Sequence, residues 1–140
     1  MRAASAVLAL ALLSTGCTDT QSTTAPTTDT IAAPTTAEAF SGAVPVGGSS
    51  FYSFVVSLNG TVNVTLVSVA GVNVPPGITL GLAIGTPSGA GCSGGTVTST
   101  AAGTDPQVTG TYSPGRYCVN VSDVGNLAAP ATFIVTIAHP

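Results

Sequence analysis

Apolar and polar residues alternate with a period of two in several short stretches of this 140-residue chain. The clearest stretch runs from residue 116 to 121, where Tyr117, Val119 and Val121 share one side and Cys118 lies on the other. A period of two is typical of a half-buried β-strand. We therefore expect Tyr117 and its two valine neighbours to face a core and Cys118 to point away from it.

Shorter runs of the same kind predict further strands between turn residues. The dipeptide Asn59-Gly60 predicts a two-residue hairpin, and Leu80, Leu82 and Ile84 share one face of a run whose opposite face carries only small residues. Helical periodicity is absent after the N-terminal segment. Seven to eight strands at this spacing predict an all-β fold, a single antiparallel β-sandwich. The further strands are expected at 51–58, 61–69, 78–85, 96–101, 107–112 and 131–138.

The N-terminal segment has the pattern of a lipoprotein signal peptide. Met1-Arg2 precedes an apolar run that ends at Leu13, and small residues lead to Cys17. The run is shorter than the about 20 residues that span a bilayer, and a charge, an apolar run and small residues mark a secretory signal. The end of the segment resembles the bacterial lipobox, although Ser14 stands where leucine is usual. This predicts a signal peptide at 1–16 and lipidation of Cys17.

Residues 17–37 are expected to form a linker and residues 38–140 the folded domain. The linker is rich in Thr, Ala, Ser and Pro and has almost no large apolar side chain, so it cannot bury enough surface to offset the entropy of ordering. We expect it to tether the domain to a membrane through the lipid on Cys17. The predicted location is outside the cytoplasm, anchored to the bacterial cell envelope on its periplasmic or cell-surface side.

Charged residues are rare, at 5% of the chain against about 25% in an average soluble protein. Lysine is absent, and Arg116 is the only basic residue after the predicted signal peptide. Nucleic-acid binding requires several cations to neutralise phosphates, so a nucleic-acid partner is excluded. The polarity of the surface must come from Ser, Thr and Asn.

The residues that could carry chemistry are few. The one histidine, His139, is expected on a fraying tail, where nothing would orient it as a base. Among the carboxylates of the domain, Asp105 and Asp123 have the sequence context of turn formers, and Glu38 is the only other one. Calcium takes six to eight oxygens, several of them from carboxylates. We therefore expect no catalytic residue, no metal and no cofactor, and the chain is not predicted to be an enzyme.

Two cysteines, Cys92 and Cys118, remain as a pair once Cys17 carries lipid. Export permits a disulfide between them. Because Cys118 alternates with core-facing residues, the disulfide is expected on the outer face of a sheet, where it joins a Gly/Ser-rich loop to a strand. Tyr52 and Tyr112 are weaker candidates for ligand contacts, as part of a sugar-stacking set with Tyr117, and Tyr112 is expected to be the most exposed.

The order of the predicted strands resembles that of the bacterial pre-peptidase C-terminal domain. The matching segments are FYSFVVSLNGTVNVTL at 51–66, ITLGLAIG at 78–85, PGRYCVNVSD at 114–123 and TFIVTIAHP at 132–140. The resemblance implies a jelly-roll-like sandwich that accompanies a secreted peptidase without being the catalyst. Thr79, Gly81 and Ala83 stand where the family often has acidic residues, so a calcium site does not carry over. An immunoglobulin-like sandwich is the alternative, but the chain lacks its tryptophan.

These observations predict a non-catalytic envelope lipoprotein whose sandwich is an accessory binding or interaction module for an envelope protein or glycan. Two alternatives remain open. One is a purely structural surface or coat component with a Ser/Thr exterior, and the other is a weak carbohydrate-binding module.

Overall fold

Two antiparallel β-sheets pack face to face in the computed structural model, which describes residues 30–140. The predicted all-β antiparallel sandwich is confirmed, with nine strands in the described residues instead of seven to eight. The strands are β1 (Thr36–Val44), β2 (Ser49–Val56), β3 (Gly60–Ala70), β4 (Leu80–Ser88), β5 (Gly91–Ser93), β6 (Thr98–Thr100), β7 (Val108–Tyr112), β8 (Gly115–Ser122) and β9 (Ala131–His139).

The pairing of the strands is nested, as in a long hairpin that has been rolled up. Strand β1 pairs with β9, β2 with β8, β3 with β7 and β4 with β6. Rolling brings β3 beside β9 and β4 beside β8, so the first sheet has the order β1-β9-β3-β7 and the second the order β2-β8-β4, with β5 and β6 on the far edge of β4. This is the arrangement of a jelly roll. It differs from the order of immunoglobulin sheets, so that alternative is wrong.

The hairpin predicted at Asn59-Gly60 does not form. Strand β2 belongs to the second sheet and β3 to the first, so the chain crosses between sheets at this point. The favoured two-residue hairpin turns need positive φ angles, and neither residue has one. Glycine is required at position 60 for another reason, because a Cβ there would overlap the carbonyl of Ala32 and the ring of Pro140.

The folded domain begins earlier than residue 38. Ala32 forms a parallel bridge with Gly60, and its amide donates to the carbonyl of Asn59 at 2.9 Å. The amide of Thr35 donates to the carbonyl oxygen of His139 at 3.0 Å, and β1 starts at Thr36. Residues 32–37, expected in the linker, are therefore part of the sandwich. Linker residues 17–29, which include Cys17, and the signal peptide lie outside the described residues.

The core lies between the sheets and consists of inward-facing residues of both. Tyr117 packs against it from β8, beside the buried Val119 and Val121, as the alternation predicted. Burying a Val, Leu, Ile or Phe side chain contributes about 1.5–3 kcal/mol relative to leaving it exposed, so this layer is the main source of stability. Its members are Val44, Phe54, Val56, Val62, Val64, Leu66, Leu80, Leu82, Ile84, Val119, Val121, Leu127, Ala131, Phe133, Val135 and Ile137.

Strand β4 is buried on both faces from residue 80 to 85. Its large residues face the core, and its small residues lie under segments that cross the outside of the second sheet. A Cβ at Gly81 would meet Val97 at 2.7 Å and Val124 at 3.2 Å, and one at Gly85 would overlap the carbonyl of Ser93. The small face of β4 is thus required by the chain that covers it.

The predicted disulfide between Cys92 and Cys118 is present, with sulfur atoms 2.04 Å apart and Cα atoms 5.9 Å apart. Cys118 is fully buried but is not part of the core cluster. It lies opposite Gly85 on the outward face of β8, where the β4–β5 hairpin covers it. The expected position on the outer face of a sheet is therefore confirmed. Cys92 is in the short strand β5, which pairs with β4.

Candidate functional site

A sandwich of two sheets has two sides where the edges of the sheets come together. On one side, β1 is the edge of the first sheet and β2 the edge of the second; we call it the β1–β2 side. On the other, β7 faces β4 and the short strands β5 and β6; we call it the β7 side. The candidate site residues divide between these two sides.

The β1–β2 side is closed by a polar cluster of three side chains. The hydroxyl of Tyr52 donates to Oε2 of Glu38 at 2.6 Å, and Nε2 of His139 lies 3.0 Å from Oε1 of the same carboxylate. The side chain of Glu38 is 31% exposed, whereas that of His139 is 6% exposed. The cluster ties β1 to β2 and β9 and so links the two sheets.

The two partners of Glu38 also stabilise its charge. The hydrogen bond from Tyr52 lowers the pKa of Glu38, and the one from His139 lowers it further. The same carboxylate raises the pKa of Tyr52 through the hydrogen bond it accepts. Because Glu38 accepts at this position, the matching tautomer of His139 carries a proton on Nε2.

His139 is not on a fraying tail, and that prediction is wrong. It is the last residue of β9, it is buried, and its Nδ1 lies 3.2 Å from the carbonyl oxygen of Pro140. Its ring also packs against Phe54, with ring centroids 5.4 Å apart. The fold therefore encloses the ring, with Nε2 bonded to Glu38, and the imidazole is not open to a ligand.

Aromatic rings fill the space beside this cluster. Phe40 stacks on Tyr52 at 5.0 Å and meets the ring of Phe133 edge-on at 5.3 Å. A Cβ at Gly42 would lie 2.9 Å from the ring of Phe133, so glycine leaves room for that ring. Tyr52 thus faces into the fold, and its neighbour Phe51 is the one exposed, at 37%.

The β7 side, in contrast, contains an open groove. Its larger section has a volume of about 550 Å³ and lies between β7 and the 95–98 segment. A smaller section of about 210 Å³ continues towards Tyr117 and the β4–β5 hairpin, and the two share Ile84, Gly95 and Tyr112. No lining residue of either section is charged. The larger section is lined by Ile84, Gly95, Thr96, Thr98, Gln107, Val108, Thr109 and Tyr112.

Tyr112 lines both sections of the groove. It is half-buried, because it packs against the core and meets the ring of Tyr117 at 5.0 Å. This burial, followed by the proximity of Tyr117, raises the pKa of Tyr112. Its ring lies back over β7 in the space that a side chain at Gly110 would occupy, since a Cβ there would be 2.8 Å from the ring. The glycine therefore helps to position the tyrosine.

Three hydroxyl groups of the larger section are free to bond a ligand. Within residues 30–140, no hydrogen bond involves the hydroxyls of Thr96, Thr98 or Tyr112. The other polar side chains of this section are engaged: Thr109 donates to Asn63 at 3.0 Å, and Oε1 of Gln107 accepts from the amide of Leu66 at 2.7 Å. The free hydroxyls come from the 95–98 segment and from β7, so they belong to both walls.

The wall opposite β7 depends on close backbone packing and on the disulfide. Gly94 and Gly95 have φ angles of 82° and 83°, which side chains rarely adopt. A Cβ at Gly95 would also overlap the carbonyl of Ile84. The disulfide holds the preceding strand at Cys92 against Cys118 of β8. This wall has little side-chain packing of its own, so these constraints define its position.

Asp123 is a turn former, as its sequence context predicted. Its Oδ2 accepts from the amide of Gly47 at 2.7 Å, and its Oδ1 accepts from Gly125, Asn126 and Leu127 at 2.8–3.2 Å. These backbone hydrogen bonds, that of Gly47 above all, lower the pKa of Asp123. The carboxylate joins the β1–β2 and β8–β9 loops and is not part of the groove.

The tyrosines proposed as one ligand-contacting set do not come together. Tyr112 and Tyr117 are neighbours in the groove, but Tyr52 is on the β1–β2 side, so its assignment to such a set is wrong. Sequence reasoning missed the position of Thr96 and Thr98 in the groove, since two threonines in a Thr-rich chain carry no distinctive signal. It also missed the pairing of Glu38 with His139, which are 101 residues apart.

Residues 30–140 contain no group of three or more His, Cys, Asp or Glu side chains arranged to hold a metal ion. Among the same residues, no helix has the length and apolar character needed to cross a membrane. A scan against protein-family models and a search of curated proteins both find no match to this chain.

Proposed function

We propose that this chain is an exported lipoprotein of the bacterial cell envelope and that its sandwich is a non-catalytic accessory module. The groove on the β7 side binds an uncharged ligand. The observation that carries this proposal is the combination of an open groove, a lining without charged residues and, in the larger section, three hydroxyls without internal partners. An uncharged groove with free hydroxyls recognises a ligand through neutral hydrogen bonds and surface contact.

The absence of catalysis in this proposal rests on the positions of the reactive side chains. The chain has one histidine, and it is buried beside Glu38, with Phe54 between it and Tyr117 of the groove. General acid–base catalysis needs a proton-transferring group within hydrogen-bond reach of the substrate. The lining of the groove offers hydroxyls and an amide but no histidine or carboxylate.

Export and anchoring are proposed from the N-terminal sequence and are compatible with the disulfide. A disulfide persists in oxidising compartments outside the cytoplasm. Cys17 is the proposed lipid attachment site. A Cys17→Ser variant should not incorporate labelled fatty acid and should leave the membrane fraction, while Thr18→Ser should behave as wild type. Equal labelling of both variants would refute the anchor.

The resemblance to the pre-peptidase C-terminal domain supports an accessory role, because that domain accompanies a secreted peptidase without being the catalyst. The jelly-roll order of strands agrees with the fold that the resemblance implies. We propose that this domain, like members of that family, acts beside other secreted proteins.

The binding role is tested by adding an envelope extract to the isotope-labelled, full-length protein in detergent. We expect resonance shifts confined to residues 84–98 and 107–112 and to Tyr117, and weaker shifts in a Thr98→Val variant. Thr111→Val is the matched control, because Thr111 is exposed on β7, which forms one wall, but does not line the groove. Shifts that avoid the groove would refute the proposal.

A structural role in a surface layer is the second candidate. The outward residues of β1, which are Ala37, Ala39, Ser41 and Ala43, are exposed and uncharged. Those of the adjacent β9 are Thr132, Ile134, Thr136 and Ala138, so the two strands present a neutral face on which Ile134 is the one large side chain. Self-association of the purified protein that is abolished by Ala39→Lys, with the groove unperturbed, would favour this candidate over ligand binding.

A further inference from the structure

Resting on the proposed binding role, we infer that the ligand of the groove is a segment of a neutral oligosaccharide. The inference names the class of ligand from the side chains that face the groove. Three properties lead to it: the missing charge, the positions of the free hydroxyls and the tyrosine ring between the two sections.

The missing charge excludes ligands that need a counter-ion. An anion or cation placed in the groove would lose part of its hydration without gaining an ionic partner, and that is unfavourable. Arg116, the only basic residue in the described part of the chain, is on β8 and does not line either section. The ligand must therefore be neutral where it contacts the protein.

The free hydroxyls favour a ligand that offers both donors and acceptors. A hydroxyl group has one donor and two acceptor positions, so those of Thr96, Thr98 and Tyr112 match the hydroxyls of a sugar. They lie on both walls, and a sugar ring between them can bond to each. A purely apolar ligand would leave these groups without partners and is disfavoured.

The ring of Tyr112 adds an apolar surface at the junction of the two sections. The ring packs against Tyr117 and occupies the space above Gly110. Little conformational entropy is therefore lost when a ligand packs against it. An aromatic side chain with a polar tip suits a ligand that has apolar ring faces and hydroxylated edges. A sugar ring has this character.

The shape of the groove favours a chain of sugars over a single one. The larger section, at about 550 Å³, falls within the range of about 300–1,000 Å³ typical of small-ligand sites. The smaller section extends it past Tyr112. An extended peptide is the competing occupant, since it would pair with the free edge of β7. That edge is only five residues long and has Gly110 at its centre, so we favour the sugar.

The test uses the full-length protein in detergent and saturation-transfer NMR with four neutral probes: chitotetraose, cellotetraose, maltotetraose and mannotetraose. Oligogalacturonate is the charged control. We expect at least one neutral probe to bind saturably and the charged one not to bind. Binding to oligogalacturonate alone, or to none of the five, would overturn the inference.

Variants locate the site. Thr98→Val and Tyr112→Phe each remove one hydroxyl and keep the packing, so we expect affinity to fall about three- to tenfold, the value of one neutral hydrogen bond. Tyr112→Ala should lose more, and Tyr112→Phe keeps the test valid if the alanine variant unfolds. Thr111→Val and Phe51→Ala are the matched controls and should bind as wild type. Unchanged binding in both groove variants would also overturn the inference.

A set of extended peptides separates this inference from the proposed function. If peptides bind and weaken with Thr98→Val and Tyr112→Phe, the groove is a binding site but the sugar is wrong. If neither sugars, peptides nor an envelope extract shift the resonance of Tyr112, both the inference and the proposed function fail.

Discussion

On both sides of the sandwich the edges of the two sheets leave a gap between them, and the two gaps differ in how far side chains fill them. On the β1–β2 side, Phe40 and Tyr52 fill the gap between the sheets, and Glu38 and His139 complete it with hydrogen bonds. On the β7 side, the second sheet ends in two strands of three residues each, and a groove remains. The fold supplies two openings, and the side chains determine which one stays open.

The difference also concerns what holds each side. The β1–β2 side is stabilised by large rings and a charged hydrogen-bonded cluster. The β7 side is held by a covalent bond and by glycine backbone that packs without side chains. Four predictions follow the expected size of these contributions, from the largest to the smallest.

Loss of the disulfide should have the largest effect, and local opening should be greatest on the β7 side. In the chain-entropy model, closing a loop with a sequence separation of 26 contributes about 3–4 kcal/mol. The double variant Cys92→Ser/Cys118→Ser should therefore lower the free energy of unfolding by about this amount, measured by urea denaturation. Hydrogen exchange should rise more in residues 91–97 than in β1, because the groove wall also opens locally. A uniform rise across both sides would contradict the separate roles of the two sides.

Removal of the histidine should have the next largest effect on stability and should loosen only the β1–β2 side. His139→Ala leaves Glu38 without one of its two partners, and the hydrogen bonds of charged groups contribute about 1.5–3 kcal/mol. We expect a loss of about 2 kcal/mol in unfolding free energy, with hydrogen exchange rising at β1 and β2. The Tyr112–Tyr117 ring signals should keep their positions, and their movement would show that the two sides are coupled.

The contribution of Glu38 should depend on pH. Its pKa in the fold is below the ordinary value of 4.5, so its stabilising effect is fully present above that value and is lost as pH falls through the folded pKa. Wild type and Glu38→Gln should therefore converge in stability as pH is lowered from 6 to 3, about 1 kcal/mol apart at the start. Asp123 titrates in both proteins, so its contribution cancels in their difference. A gap that widens on acidification would contradict the assigned direction.

The smallest effect on stability is expected from Gly110→Ala. The new methyl group would lie 2.8 Å from the ring of Tyr112, and that ring can rotate away from it, so the unfolding free energy should change by less than about 1 kcal/mol. The nuclear Overhauser contacts between Tyr112 and Tyr117 should nevertheless weaken. The control is Thr111→Ala, on the same strand as Gly110. Gly47→Ala is unsuitable, because Gly47 has a φ of 68°, which side chains rarely adopt. Intact contacts in Gly110→Ala would mean that the glycine does not position the ring.

Much of the fold follows from local patterns in the sequence. Alternation in β8 and β9 identifies the strands and their core-facing residues, because the side chains of successive strand residues point to opposite faces. The small residues of β4 were visible too, as was the pairing of the two cysteines by elimination. Each of these properties depends on residues that are near one another in the chain or on a count of residues.

What the sequence left open depends on contacts between distant residues. Strand β1 went unrecognised because two of its inward positions, Glu38 and Gly42, do not resemble core residues. Each is explained by a partner on β9, since Glu38 bonds to His139 and Gly42 makes room for Phe133. The Asn59-Gly60 prediction failed for the same reason, as local turn preference was overridden by the crossing of the chain between sheets.

The groove is the clearest case of a feature that only the tertiary structure decides. Its two walls come from the 95–98 segment and from β7, and they meet because β4 and β3 lie in opposite sheets. No residue that lines it is unusual in the sequence. The sequence determines which residues can face a core, because that is a local property of a strand. The side of the sandwich that remains open is set by the packing of side chains that are up to a hundred residues apart, and no local pattern records that packing.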